Sequence, residues 1–79
     1  MNDLFNTLIE PDSSAISWIY YELESGSMHI TFTTSVEENV VYIYRDVDED
    51  LASKFLQHPS GKNFHDMIKG KFSCDKITL

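Results

Sequence analysis

Asp46, Asp48, Glu49 and Asp50 place four carboxylates within five residues, directly after Tyr42-Ile43-Tyr44-Arg45. Such a run has two uses. One or two acids at the start of a helix cap its free N–H groups and complement its dipole. Capping does not employ all four. Carboxylates spaced along a surface also imitate phosphates and steer a basic protein cleft toward them. Glu37 and Glu38, in the connection leading to the strand of Tyr42 and Tyr44, are expected at the opposite end of the sheet and so extend the acidic surface. The expected protein-binding set is therefore Glu37, Glu38, Asp46, Asp48, Glu49 and Asp50.

Tyr42 and Tyr44 carry a different chemistry. Aromatics on an open sheet face stack bases, at roughly 1–3 kcal/mol per base. Tyrosines are also common packing residues of strands. In VVYIY the tyrosines point one way and Val41 and Ile43 the other, and the sequence alone leaves open which pair faces solvent. Arg45 and the lysines Lys62, Lys69 and Lys71 complete a set that could contact RNA. Against it stands the charge. Residues 1–52 carry eleven Asp or Glu and a single Arg, while residues 53–79 carry five Lys and two Asp, for a net charge of −7. Affinity for nucleic acid comes largely from neutralising phosphates, so an acidic body favours a basic protein partner.

His29, His58, His65 and Cys74 are the candidate metal ligands, and none has metal-ligand spacing to another. No nucleophile elbow, paired-carboxylate site or phosphate-binding glycine loop is present. The expectation is no enzyme, no cofactor and no metal. A chain of 79 residues hides roughly 60% of the surface its unfolded form exposes, which suits a single binding domain better than a deep cleft. One cysteine excludes an internal disulfide. MNDLFNTLIE has no charged-then-apolar leader, and no run of roughly eighteen apolar residues occurs, so a reduced, cytoplasmic setting without membrane contact is expected.

The elements that must position these residues follow from periodicity. Leu4, Phe5, Leu8 and Ile9 have the spacing of a short helical stripe, stopped before Pro11. AISWIYYEL is β-branched and aromatic, with Ile16, Trp18 and Tyr20 on one face and Ile19, Tyr21 and Leu23 on the other. Trp18 reads as core. After the turn Glu24-Ser25-Gly26-Ser27, Met28, Ile30 and Phe32 point inward and His29 and Thr31 outward. VVYIY is the third strand. Asp46 or Asp48 then caps a helix carrying Leu51, Ala52, Phe55 and Leu56, with Glu49 placed three after Asp46 as in a capping box. Ser60 caps a second helix carrying Phe64, Met67 and Ile68, with Gly70 as its stop signal. KFSCDKITL can add a last extended segment.

Ser13-Ser14-Ala15-Ile16, the alternating second strand, Tyr42-Ile43-Tyr44, Val47, and Ser60-Gly61-x-x-Phe64 followed by Ile68-Lys69 together resemble the KTSC domain family, over about residues 13–72. That family is named for the C-terminus of some lysyl-tRNA synthetases and also occurs as short stand-alone proteins of bacteria and phages. The resemblance implies a small stand-alone member. RNA binding, suggested from the synthetase context, would fall on Tyr42 and Tyr44. The sequence departs from the family pattern in the longer connection bearing Glu37 and Glu38, and in Asp48, where a proline is common.

The expected fold is α+β: a three-stranded antiparallel β-meander, two C-terminal helices on one face and a short N-terminal helix. Residues 1–12 form a helical extension and 13–79 a single KTSC-like domain. The expected function is a non-catalytic acidic interaction module for a basic, nucleic-acid-handling protein, by analogy of composition a phage-type inhibitor or nucleic-acid mimic. The alternative is an RNA-binding accessory domain using the Tyr-x-Tyr strand. An exposed sheet edge or open aromatic face would also favour a homodimer.

Overall fold

The computed structural model describes residues 4–33 and 40–78. Its elements are β1 (Leu8–Ile9), β2 (Ile16–Glu22), β3 (Ser27–Phe32), β4 (Val40–Tyr44), α1 (Glu49–Gln57), α2 (Gly61–Met67) and β5 (Cys74–Thr78). The strands form one antiparallel sheet in the order β1-β2-β3-β4-β5. The α+β class agrees with the sequence, but the three-stranded meander is corrected to five strands, and the short N-terminal helix is replaced by a turn and a strand.

The reason for β1 lies at Asn6. Its backbone takes the left-handed conformation (φ 55°), which ends any helix begun at Leu4. The Asn6 N–H donates to the Tyr21 carbonyl at 2.8 Å, and its Oδ1 accepts from the Leu23 N–H at 3.1 Å. These bonds swing the chain alongside β2, where Leu8 pairs with Tyr20 and Ile9 with Ile19. A helix this short is not stable by itself, whereas a neighbouring strand supplies partners for each backbone group. At the other edge, the Arg45 N–H donates to the Ser73 carbonyl at 2.9 Å and starts a ladder from Tyr44↔Cys74 to Val40↔Thr78.

Both helices lie on one face of the sheet. Ile19 and Tyr21 of β2, Met28 and Ile30 of β3 and Tyr44 of β4 pack with Ala52, Phe55 and Leu56 of α1 and with Phe64 and Ile68. The inward set expected for β3 is the one observed. In β2 the register shifts between Ile16 and Trp18, and this bulge changes the parity of the strand. Ile16 thereby joins Ile19 and Tyr21 in the core, while Trp18 and Tyr20 face the side without helices, half-buried. Trp18 is not a core residue. Leu23 lies beyond the strand and is exposed.

Asp48, not Asp46, caps α1: its carboxylate accepts from the Leu51 N–H at 3.0 Å. Asp46 instead takes φ 59°, the bend that turns the chain from β4 into the helix. Ser60 caps α2 as expected, accepting from the Asn63 N–H at 3.1 Å. Asp48→Ala should cost about 1 kcal/mol of stability, while Asp48→Asn should be close to neutral, since asparagine caps equally well. Chemical denaturation of the two variants checks the contrast.

Candidate functional site

The acidic segment is tethered rather than loose. The buried Tyr21 hydroxyl donates to the Val47 carbonyl at 2.6 Å, and the Val47 N–H donates to the Gly26 carbonyl at 2.9 Å. Val47 itself is 2% exposed. Gly26 sits at φ 72° in the β2–β3 turn, a conformation glycine adopts without strain, and a Cβ there would stand 3.4 Å from the Val47 carbonyl. The turn and the acidic segment are thus one packed unit.

That unit gathers more acid than the run alone. Asp46, Asp48, Glu49 and Asp50 are all exposed. Glu22 and Glu24, at the end of β2 and in the turn against which Val47 is fastened, are exposed at the same end of the sheet. Sequence reasoning missed these two, because their proximity depends on the Tyr21–Val47 contact. Among the described residues no lysine or arginine forms an ion pair with Asp46, Asp48, Glu49 or Asp50. Glu37 and Glu38 lie outside the described residues.

The field of this end reaches inward. Burial pushes the Tyr21 hydroxyl pKa above its ordinary value, and the Glu49 and Asp48 carboxylates push it further. Tyr44 is raised more strongly, chiefly by burial, then by the Cys74 side chain beside it and by Tyr42. Both groups therefore have folded-state pKa values above their unfolded ones, near 10. Their contribution to stability is complete below that pH and is lost as pH rises toward the folded values. Thermal unfolding should fall steeply above about pH 10, and Tyr21→Phe and Tyr44→Phe should each flatten the decline.

The proposed RNA contacts are placed differently from one another. Tyr42 and Tyr44 lie on the helix-covered face: Tyr44 is 7% exposed and stands edge-on to Phe64 at 5.5 Å, and half-buried Tyr42 stands edge-on to Phe32 at 5.6 Å. Neither ring is displayed as a stacking platform. The Arg45 Nε donates to Asp75 Oδ2 at 2.6 Å, an exposed ion pair that occupies the chain's single arginine. Lys62 lies in α2, and Lys69 and Lys71 follow it, all exposed. Tyr44 meets Phe64 of the helix that carries Lys62, but its buried ring offers the lysines no common surface.

His29 is half-buried on the helix-free face, with the Tyr20 ring edge-on at 6.1 Å; His58, His65 and Cys74 are exposed elsewhere. Among the described residues no three His, Cys, Asp or Glu side chains converge as metal ligands would. None of the described helices is long and apolar enough to cross a membrane.

The sheet and its two helices have a counterpart of known structure. The crystal structure of a KTSC domain protein from Yersinia pestis matches with a TM-score of 0.76 and 33% sequence identity, over 90% of this chain and 96% of that one. No curated protein matches. The family model of the KTSC domain matches residues 12–72, a segment running from the approach to β2 through the turn after α2 and flanked by the two edge strands. The chain belongs to the KTSC domain family.

Proposed function

We propose that this domain is a non-catalytic interaction module that engages a basic protein surface through the acidic end of its sheet. The observation that carries this is the tether: Val47 is bonded to both Tyr21 and Gly26, so the backbone that bears the carboxylates is fastened to the β2–β3 turn. Charges carried on a tethered backbone steer association, and that backbone loses little further freedom on binding. Carboxylates in this density resemble a phosphate backbone, which makes a nucleic-acid-handling protein the fitting class of partner. A cytoplasmic, phage-type inhibitor acting as a nucleic-acid mimic is the biological form of this proposal.

A tagged pull-down from native lysate, with and without nuclease, tests it. A basic protein retained after nuclease treatment is the expected result. Recovery of RNA alone, lost with nuclease, would replace the proposal by the RNA-binding alternative.

A further inference from the structure

We propose that the helix-free face of the sheet is where the basic partner docks, and that it receives an arginine-bearing segment over the rings of Trp18 and Tyr20. This rests on the proposed function and adds the docking surface and the side chain recognised. The face is not the bare polar side usual for a sheet covered by helices on one side only. Trp18 and Tyr20 stand on β2, His29 beside Tyr20 on β3, Val41 and Ile43 on β4 and Ile77 on β5. Val41 and Ile43 are 6% and 8% exposed yet stand apart from the core beneath the helices. Their neighbours in register flank them: Ile43 lies between His29 and Asp75, and Val41 beside Ile77. The result is a packed apolar floor, with two half-exposed aromatic rings on one side and Ile77, 39% exposed, on the other.

Charge selects the occupant. β2 runs from Trp18 through Tyr20 to Glu22, and β4 runs through Val41 and Ile43 toward Arg45, whose charge is paired with Asp75, before the chain reaches Asp46. Both strands therefore lead from the aromatic floor into the acidic end, so one ligand can lie on both. A guanidinium stacks on an aromatic face while its N–H donors remain free for carboxylates, whereas an ammonium is a compact point charge with a full hydration shell. A second copy of the chain would bring another net charge of −7 to the same place, and a nucleic acid would set phosphates against Glu22 and the carboxylates beyond it.

Trp18 is the only tryptophan, so its emission reports on this face directly. The full chain is titrated with oligoarginine and with oligolysine of equal length, and separately with oligouridylate. Both peptides should bind, oligoarginine about fivefold more tightly, and oligoarginine should produce a saturable change in Trp18 emission. Tyr20→Val should weaken oligoarginine about threefold and leave oligolysine unchanged. Trp18→Leu, followed by calorimetry, should do the same. Both replacements keep an apolar residue on the sheet face, and if one fails to fold, the other variant and the wild-type emission still decide.

Equal peptide affinities, unchanged emission and no effect of the variants would overturn the docking face while leaving the acidic end in place. Failure of both peptides to bind would overturn the proposed function with it. An emission change with oligouridylate but not with oligoarginine would assign the face to nucleic acid and overturn the arginine proposal.

Discussion

Tyr44→Ala should remove about 3–5 kcal/mol of stability, the range for truncating a large aromatic in a packed core. The ring is 7% exposed, lies opposite Met28 in the β3–β4 register and meets Phe64 edge-on at 5.5 Å. A domain of this size has about 5–15 kcal/mol to lose, at the lower end because its core is modest. The variant should therefore be partly unfolded at physiological temperature. Tyr44→Phe keeps the ring and should cost about 1 kcal/mol or less. Urea denaturation of the two variants separates the ring's packing from its hydroxyl. A fully stable Tyr44→Ala that had lost only affinity for RNA would show that the ring is a stacking surface, contrary to its place beneath α2.

Neutralising the acidic segment should have the larger functional effect. Asp46→Asn, Asp48→Asn, Glu49→Gln and Asp50→Asn together should weaken binding to a basic partner by roughly ten- to a hundredfold, since each exposed charge pair contributes up to a few-fold. Most of the loss should fall on the association rate and shrink as salt is raised. Stability should change little, because the asparagine introduced by Asp48→Asn still caps α1. Adding Glu22→Gln and Glu24→Gln should deepen the loss, although these residues are remote in sequence from the run. Stopped-flow association with the purified partner reads both effects. An unchanged rate in the quadruple variant would remove the acidic end from the interaction.

Local signals in the sequence are legible where one face is apolar and the other polar. The alternation of Met28, Ile30 and Phe32 locates β3 and its inward face, and the stripe Ala52, Phe55, Leu56 locates the buried side of α1. Ser60 announces the start of α2. The edge strands are harder to see for a physical reason. Leu8–Ile9 is too short to show a period; Cys74–Thr78 falls within KFSCDKITL, legible as an extended segment, but is exposed at every position, so no burial pattern marks it as a strand of the sheet. Each exists because its neighbour offers backbone partners, which is a long-range fact. VVYIY is apolar on both faces, and parity alone does not say which side the helices cover. The bulge between Ile16 and Trp18 moves Ile16 alone to the face of Ile19 and Tyr21, while the alternation from Trp18 onward holds and leaves Trp18 outside the core.

The candidate site divides along the same line. Four of its carboxylates are visible as a run, because they are adjacent in the chain. Glu22 and Glu24 join them only through the Tyr21 hydroxyl and the Gly26 carbonyl, which fasten the segment after β4 to the β2–β3 turn. The aromatic floor is hidden without the bulge: with Ile16, Trp18 and Tyr20 assigned to one face, the strand offers no sign that tryptophan and isoleucine part company.

The central claim is that the tethered carboxylates bind a basic protein, and the most direct measurement is a paired pull-down. Wild-type chain and the quadruple Asn/Gln variant are immobilised at equal density, exposed to the same nuclease-treated lysate and compared by quantitative mass spectrometry. A basic, nucleic-acid-handling protein enriched on the wild type and lost from the variant is the predicted result. Equal recovery on both, or no protein recovered by either, would contradict it.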